Sequence, residues 1–207
     1  MAIDLHRELR HLDSLSWTDI FDNSVLIDVD GYEIRVPRPE DHLRVLCIHW
    51  LTDGGSEKHR LWDIYYSIAN RPATFDWARV TEVISPRRRR WIECAVGMAS
   101  KYLGLDLTGT PFEGAESRVP PWMIRTAERE WESEKVRPLH TVLEDRTALM
   151  TQIRKRLRPN PIWATIHMEG SFDARTRLFY QIGSAFARVA PSIKRVSGVL
   201  LSHDDRH

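Results

Sequence analysis

The spacing of apolar residues changes at Pro37, and that change limits how this chain can build its layers. Before it, Ser24 to Val29 and Tyr32 to Val36 are β-branched segments joined through Asp30-Gly31, a pair suited to the positive φ angles of a two-residue hairpin turn. After it, Leu43, Leu46, Cys47, Trp50 and Leu51 recur at i, i+3, i+4, i+7, i+8 and form one apolar stripe along a helix. Gly54-Gly55 stops that helix. Leu61, Ile64, Tyr65, Ile68 and Ala69 repeat the spacing in a second helix that ends before Arg71-Pro72, and a short turn between the two predicts antiparallel packing.

The helical spacing continues. Asp76 can cap a short helix through Ile84, with Trp77, Val80 and Ile84 inward, and Ser85-Pro86 reads as an N-cap followed by proline at the first helical position. The helix that follows turns Trp91, Cys94, Ala95, Met98 and Tyr102 inward and stops at Gly104. Residues 105–120 mix Gly, Pro, Thr and Ser and read as a linker or long loop. Further helices are expected over Pro121 to Glu134, Leu139 to Leu157 and Arg175 to Val189, with a last one from Pro191 and a less regular segment around Trp163. The fold class is α+β, mainly α: a small N-terminal antiparallel β element followed by a helical bundle. The expected division is a β edge at 1–37, a helical domain at 38–104, the linker at 105–120 and a C-terminal helical region at 121–207.

Charge narrows the partners. Thirty Lys and Arg against twenty-nine Asp and Glu leave a formal net charge of +1, so no long-range field draws the isolated chain to nucleic acid or to an acidic membrane, and any anion site must be local. No apolar run approaches the ~20 residues of a membrane span, and no charged start leads into one, so a cytoplasmic location is the expectation. Cys47 and Cys94 both fall on apolar helix faces, as small buried hydrophobes do.

Near the start, Ile3-Asp4-Leu5-His6-Arg7-Glu8-Leu9 alternates as a strand does, with Ile3, Leu5 and Leu9 on one face and Asp4, His6 and Glu8 on the other. Taken with Pro39-Glu40-Asp41-His42, Leu46-Cys47-Ile48-His49-Trp50 and Arg60-Leu61-Trp62-Asp63-Ile64, the segment resembles the uncharacterised nucleotidyltransferase-like family of bacterial proteins. That family is itself similar, more distantly, to nucleotidyltransferase toxins of abortive-infection systems. The likeness runs through about Gly104. In the family this strand follows a segment with a Gly-Ser motif and paired acidic residues that hold metal and nucleotide. No Gly-Ser pair leading into paired acids is expected anywhere in this chain, so the resemblance implies a truncated or split enzyme, inactive alone.

The resemblance implies roles for particular residues. Asp4 takes the place of a metal-facing carboxylate for Mg²⁺, useful only with companion carboxylates; His6 beside it is a weaker hydrogen-bonding or ligand candidate. Asp63 is the second catalytic candidate, orienting a metal or a substrate hydroxyl, and Lys58 and Arg60 are candidates to hold the phosphates of a nucleoside triphosphate. A protein supplying the missing half is expected at the edge of the first strand.

Each candidate has a plainer alternative. Asp4 can be a solvated position on an edge strand, and Arg60 with Asp63 an i, i+3 surface pair. His42 and His49, seven apart on one helix face, are too far apart to grip one metal ion and suit capping or packing. Arg87 to Arg90, at a helix start where positive charge is mildly unfavourable, can meet phosphates, acidic partner groups or only solvent. The eight tryptophans read mainly as core and inter-helix filler. The alternative to a split enzyme is a non-catalytic helical binding or regulatory module, or a structural subunit of a complex.

Overall fold

The computed structural model describes residues 15–133 and 159–187. The predicted strand at residues 3–9, with Asp4 and His6, lies outside the described residues, as do the helices expected at Leu139 to Leu157 and from Pro191. The chain is mainly helical with a small antiparallel sheet in front, as its changing apolar spacing predicts.

Helix α1 (Trp17–Asp22) opens the described chain, capped by the Ser16 hydroxyl, which accepts from the Asp19 N–H at 3.1 Å. This short helix was not anticipated, because its six residues bury only Ile20 and carry no apolar stripe. Strands β1 (Val25–Val29) and β2 (Tyr32–Val36) follow in register Val29 to Tyr32, with Asp30 and Gly31 at φ 54° and 84° in the turn. Positive φ at both turn residues matches the right-handed twist of the strands they join. The Asp28 carboxylate accepts from the Gly31 N–H at 3.2 Å, so Asp28 and Asp30 serve the turn. Every residue of β1 is exposed.

Helices α2 (Pro39–Thr52), α3 (Leu61–Ala69) and α5 (Pro86–Leu103) pack against one another and form the core. Leu43, Cys47, Trp50 and Leu51 from α2 meet Leu61, Ile64 and Ile68 from α3 and Trp91, Cys94, Ala95 and Met98 from α5, all at most 1% exposed. Burying each of the larger side chains stabilises by roughly 1.5–3 kcal/mol. Burial also pushes the Cys47 and Cys94 thiols far above their ordinary range, which makes them inert packing groups. Helix α4 (Trp77–Thr81) is capped by Asp76, which accepts from the Ala78 N–H at 2.9 Å, and it ends three residues short of Ile84. Ser85 and Gly104 bound α5 as expected, the glycine at φ 70°.

Residues 105–120 contain α6 (Ala115–Arg118) and bury Leu105, Leu107, Phe112, Ala115 and Val119 in the same core. Gly97 of α5 makes this docking possible, since a Cβ there would stand 2.6 Å from the Ala115 carbonyl oxygen. Helix α7 (Pro121–Glu132) and helix α8 (Pro161–His167) follow, the latter capped by Asn160, and residues 178–187 are helical. None of the described helices is long and apolar enough to cross a membrane.

Indole N–H groups staple distant segments. Trp50 donates to the Glu57 carbonyl at 3.1 Å, Trp91 to Gly170 at 3.0 Å, Trp122 to Phe172 at 3.1 Å and Trp131 to Gly55 at 2.8 Å. These tryptophans are the filler that the sequence suggested. Trp62 is an exception at 42% exposed, and so is Trp17 on α1 at 55%.

Candidate functional site

The first turn of α2 holds three ionisable side chains in sequence, Glu40, Asp41 and His42, and the fold gives them different tasks. Asp41 is fully buried and receives two arginines: Arg79 donates through Nε at 2.9 Å and Nη2 at 2.7 Å, and Arg44 Nη2 lies 2.9 Å from Oδ1. Arg44 Nη1 also donates to the Arg79 carbonyl at 2.8 Å. Glu40 accepts from the Asp76 N–H at 2.8 Å and from Arg38 Nε at 3.3 Å. Two buried carboxylates thereby tie α2 to the start of α4, and each is satisfied by hydrogen bonds as burial requires.

His42 turns the other way, into a cleft between the hairpin and the seam of α2 with α3. The cleft has a volume of about 740 Å³ and is walled by apolar residues that include Val25, Ile27, Val36 and Leu46. Its polar lining comes from His42, Asp63, Ser67, Asn70 and Arg71, and Tyr66 completes one side. His42 is exposed as a residue, but the walls shield its imidazole enough that burial lowers its pKa below the usual 6.5, while the nearby Asp63 charge acts in the opposite direction. The Asp63 carboxylate makes no hydrogen bond or ion pair among the described residues. Tyr66 stacks on Trp62 with ring centroids 5.5 Å apart, and both rings are exposed.

One turn further along the seam, Arg60 Nη1 donates to Asp53 Oδ2 at 2.7 Å and lies 3.1 Å from His49 Nε2. Arg60 thus pairs with Asp53 and His49, and the i, i+3 pair with Asp63 is not formed. Lys58 belongs to a one-turn 3₁₀ helix (Lys58–Arg60), and its Nζ lies over the rings of Trp131 at 5.2 Å and Tyr102 at 5.6 Å. Of the three candidates named together from the sequence, Asp63 lines the cleft and Lys58 and Arg60 do not. The two histidines read as capping or packing groups are half-open partners of this seam, His42 beside Asp63 and His49 beside Arg60. Their seven-residue spacing was the available signal, because it places both on one face of α2.

The arginine run divides by position. Arg88 meets Glu169 at 3.2 Å, and Arg90 meets Asp173 at 3.1 Å and Glu93 at 3.0 Å, so both anchor residues 169–173 or α5 itself. The Arg87 and Arg89 side chains are exposed and make no hydrogen bonds or ion pairs among the described residues.

One detail of the expected missing motif is corrected by the sequence itself. Gly-Ser pairs occur at Gly55-Ser56, Gly170-Ser171 and Gly183-Ser184, all downstream of residues 3–9, and among the described residues none leads into a strand with paired acids. Gly55-Ser56 sits in the turn after α2, where Gly54 and Gly55 take φ 71° and 68° and Asn160 packs against Gly54. It is a turn, with Trp131 bonded to it, and not a phosphate loop.

Asp4, the expected metal carboxylate, lies outside the described residues. Among those described, no group of three or more His, Cys, Asp or Glu side chains could hold a metal ion. Asp63 alone does not supply the several oxygen ligands that Mg²⁺ takes. No curated protein and no solved structure matches the chain with significance. Residues 1–104, just over half of the 207, match the family described as uncharacterised nucleotidyltransferase, and the span covers the hairpin, the cleft and the α2, α3 and α5 core. The chain belongs to that uncharacterised nucleotidyltransferase family.

Proposed function

We propose that this chain is a nucleotidyltransferase-like protein that transfers nucleotide only together with a separate polypeptide supplying a Gly-Ser loop and paired acids. The observation that carries the reading is Asp63: a carboxylate in a cleft with apolar walls, beside a histidine and without an ion-pair partner among the described residues. In the completed protein Asp4 joins the incoming carboxylates around Mg²⁺, and Asp63 orients a substrate hydroxyl. Lys58 and Arg60 are free to move onto the triphosphate at small cost. An exposed cation–π contact is worth about 0.5–1 kcal/mol and a half-exposed ion pair about 0.2–1 kcal/mol, less than charge-assisted bonds to phosphate return.

The test is Mg²⁺-dependent binding of a radiolabelled nucleoside triphosphate to the chain together with its complementing polypeptide. Binding that is lost in Asp4→Ala and in Asp63→Ala supports the reading. Binding that survives both substitutions removes it.

A second reading is favoured by the hairpin, whose Leu26, Ile27, Val29 and Ile34 are all more than 40% exposed. Exposed apolar strands of this kind suit a non-catalytic binding or regulatory module, or a structural subunit. A stoichiometric partner that co-purifies, with no effect of nucleotide on its binding, is the result that this reading expects.

A further inference from the structure

We infer that the cleft between the hairpin and the α2–α3 seam is a binding site for a small amphiphilic amine, with the ammonium group at Asp63 and Tyr66 and the hydrocarbon body along Val25, Ile27 and Leu46. The inference shares with the preceding reading the premise that the cleft binds a ligand. It does not depend on nucleotide chemistry.

Charge within the cleft points to a cation. Its lining holds three groups that can be charged near neutral pH: His42, Asp63 and Arg71. Arg71 keeps its positive charge but is turned to other partners: it donates through Nη1 to the Ile68 carbonyl at 2.8 Å, lies 5.5 Å from the centre of the Trp77 ring, and its charge helps hold the Asp106 carboxyl below its ordinary pKa. His42 is held neutral at pH 7 by its partial burial. Asp63 is the carboxylate of the lining, and it has no ion pair among the described residues. An anionic ligand would meet that carboxylate head on, and a neutral one would desolvate it without replacing its water contacts.

The rings and walls set the rest of the ligand. Tyr66 follows Asp63 by three positions on α3, so the two are neighbours on one helix face, and Tyr66 is backed by Trp62 in a stacked pair. Aromatic faces attract an ammonium through their quadrupole, and two stacked rings hold that face in a fixed place. From Asp63 to Asn70 the cleft follows α3 for roughly 10 Å at the helical rise per residue, room for a charged head and a short ring or alkyl body. Mostly apolar walls with a few polar groups at one end are the usual form of a small-ligand site.

A dependence on pH follows from the same neighbours. The charged or titratable groups facing His42 in the cleft are Asp63, Tyr66 and Arg71 from α3 and the residues after it; the hairpin contributes only apolar residues to the lining. When His42 takes a proton it places a resident cation beside Asp63, which competes with the ligand.

The experiment is a titration of the ¹⁵N-labelled full chain with benzylamine, followed by two-dimensional NMR, with phenylacetate as the matched anion. The expected result is saturable millimolar binding of benzylamine that shifts cleft amides, with phenylacetate at least tenfold weaker. Asp63→Asn, at an exposed position where folding is undisturbed, should weaken benzylamine at least tenfold. Affinity should rise with pH across the titration of His42 and become flat in His42→Gln. Equal binding of the two probes, full affinity in Asp63→Asn, or no cleft shift at high millimolar benzylamine overturns the inference. Benzylamine binding together with absent nucleotide binding by the chain and its complementing polypeptide would sink the nucleotidyl-transfer reading and leave this one standing.

Discussion

Asp41 and Asp63 are both aspartates on core helices of the same bundle, and the fold treats them oppositely. Asp41 is fully buried and saturated by Arg44 and Arg79, and it locks α2 to α4. Asp63 sits across the seam with no ion pair among the described residues, facing a cleft. A formal net charge of +1 conceals this division. Ionic groups spent on structure are those whose removal should unfold the protein, and ionic groups left open are those whose removal should change only what it binds.

The largest effect should come from breaking the closed side. Asp41→Ala leaves two arginines facing a vacated buried site, and we expect a loss of about 3–5 kcal/mol in urea unfolding. The same substitution at Asp63 should stay within about 0.5 kcal/mol. Comparable losses at both positions would erase the distinction.

The arginine run offers the same comparison on a smaller scale. Arg90→Ala removes bonds to Asp173, Glu93 and the Arg118 carbonyl and should cost about 1–2 kcal/mol, whereas Arg89→Ala should cost less than about 0.5 kcal/mol. Thermal unfolding of the two variants side by side decides it.

The smallest effect concerns His42. Its imidazole should titrate below 6.5 by NMR, and Asp63→Asn should lower that value further by removing the one charge that raises it. Because the folded form binds its proton less readily than the unfolded chain does, stability should fall as pH drops from the unfolded pKa to the lower folded one. The difference between wild type and His42→Gln in denaturant midpoint isolates this contribution. A His42 that titrates above 6.5 would place it outside the shielded part of the cleft.

Much of the fold was legible because it rests on local signals. The Asp30-Gly31 turn, the stripes of α2, α3 and α5, and the Ser85-Pro86 start are fixed by backbone and spacing rules that act within a few residues. Residues 105–120 were harder, because Gly and Pro mark turns whether or not the side chains between them are buried, and here Phe112 and Ala115 enter the core. At the site, Asp63 was visible through its family segment, but its companions were not. The sequence suggested that Arg60 answers Asp63, whereas Arg60 reaches back to Asp53 and His49 on the preceding helix. Pairings between helices depend on how the helices are rotated against each other, which spacing along one helix does not specify.

The most direct test is a transfer assay with an α-³²P-labelled nucleoside triphosphate and Mg²⁺, run on the chain alone, on the chain with a polypeptide carrying the Gly-Ser motif and paired acids, and on that pair with Asp63→Ala. The account predicts label transfer only in the second case. Transfer by the chain alone, or undiminished transfer by the Asp63→Ala pair, would contradict it.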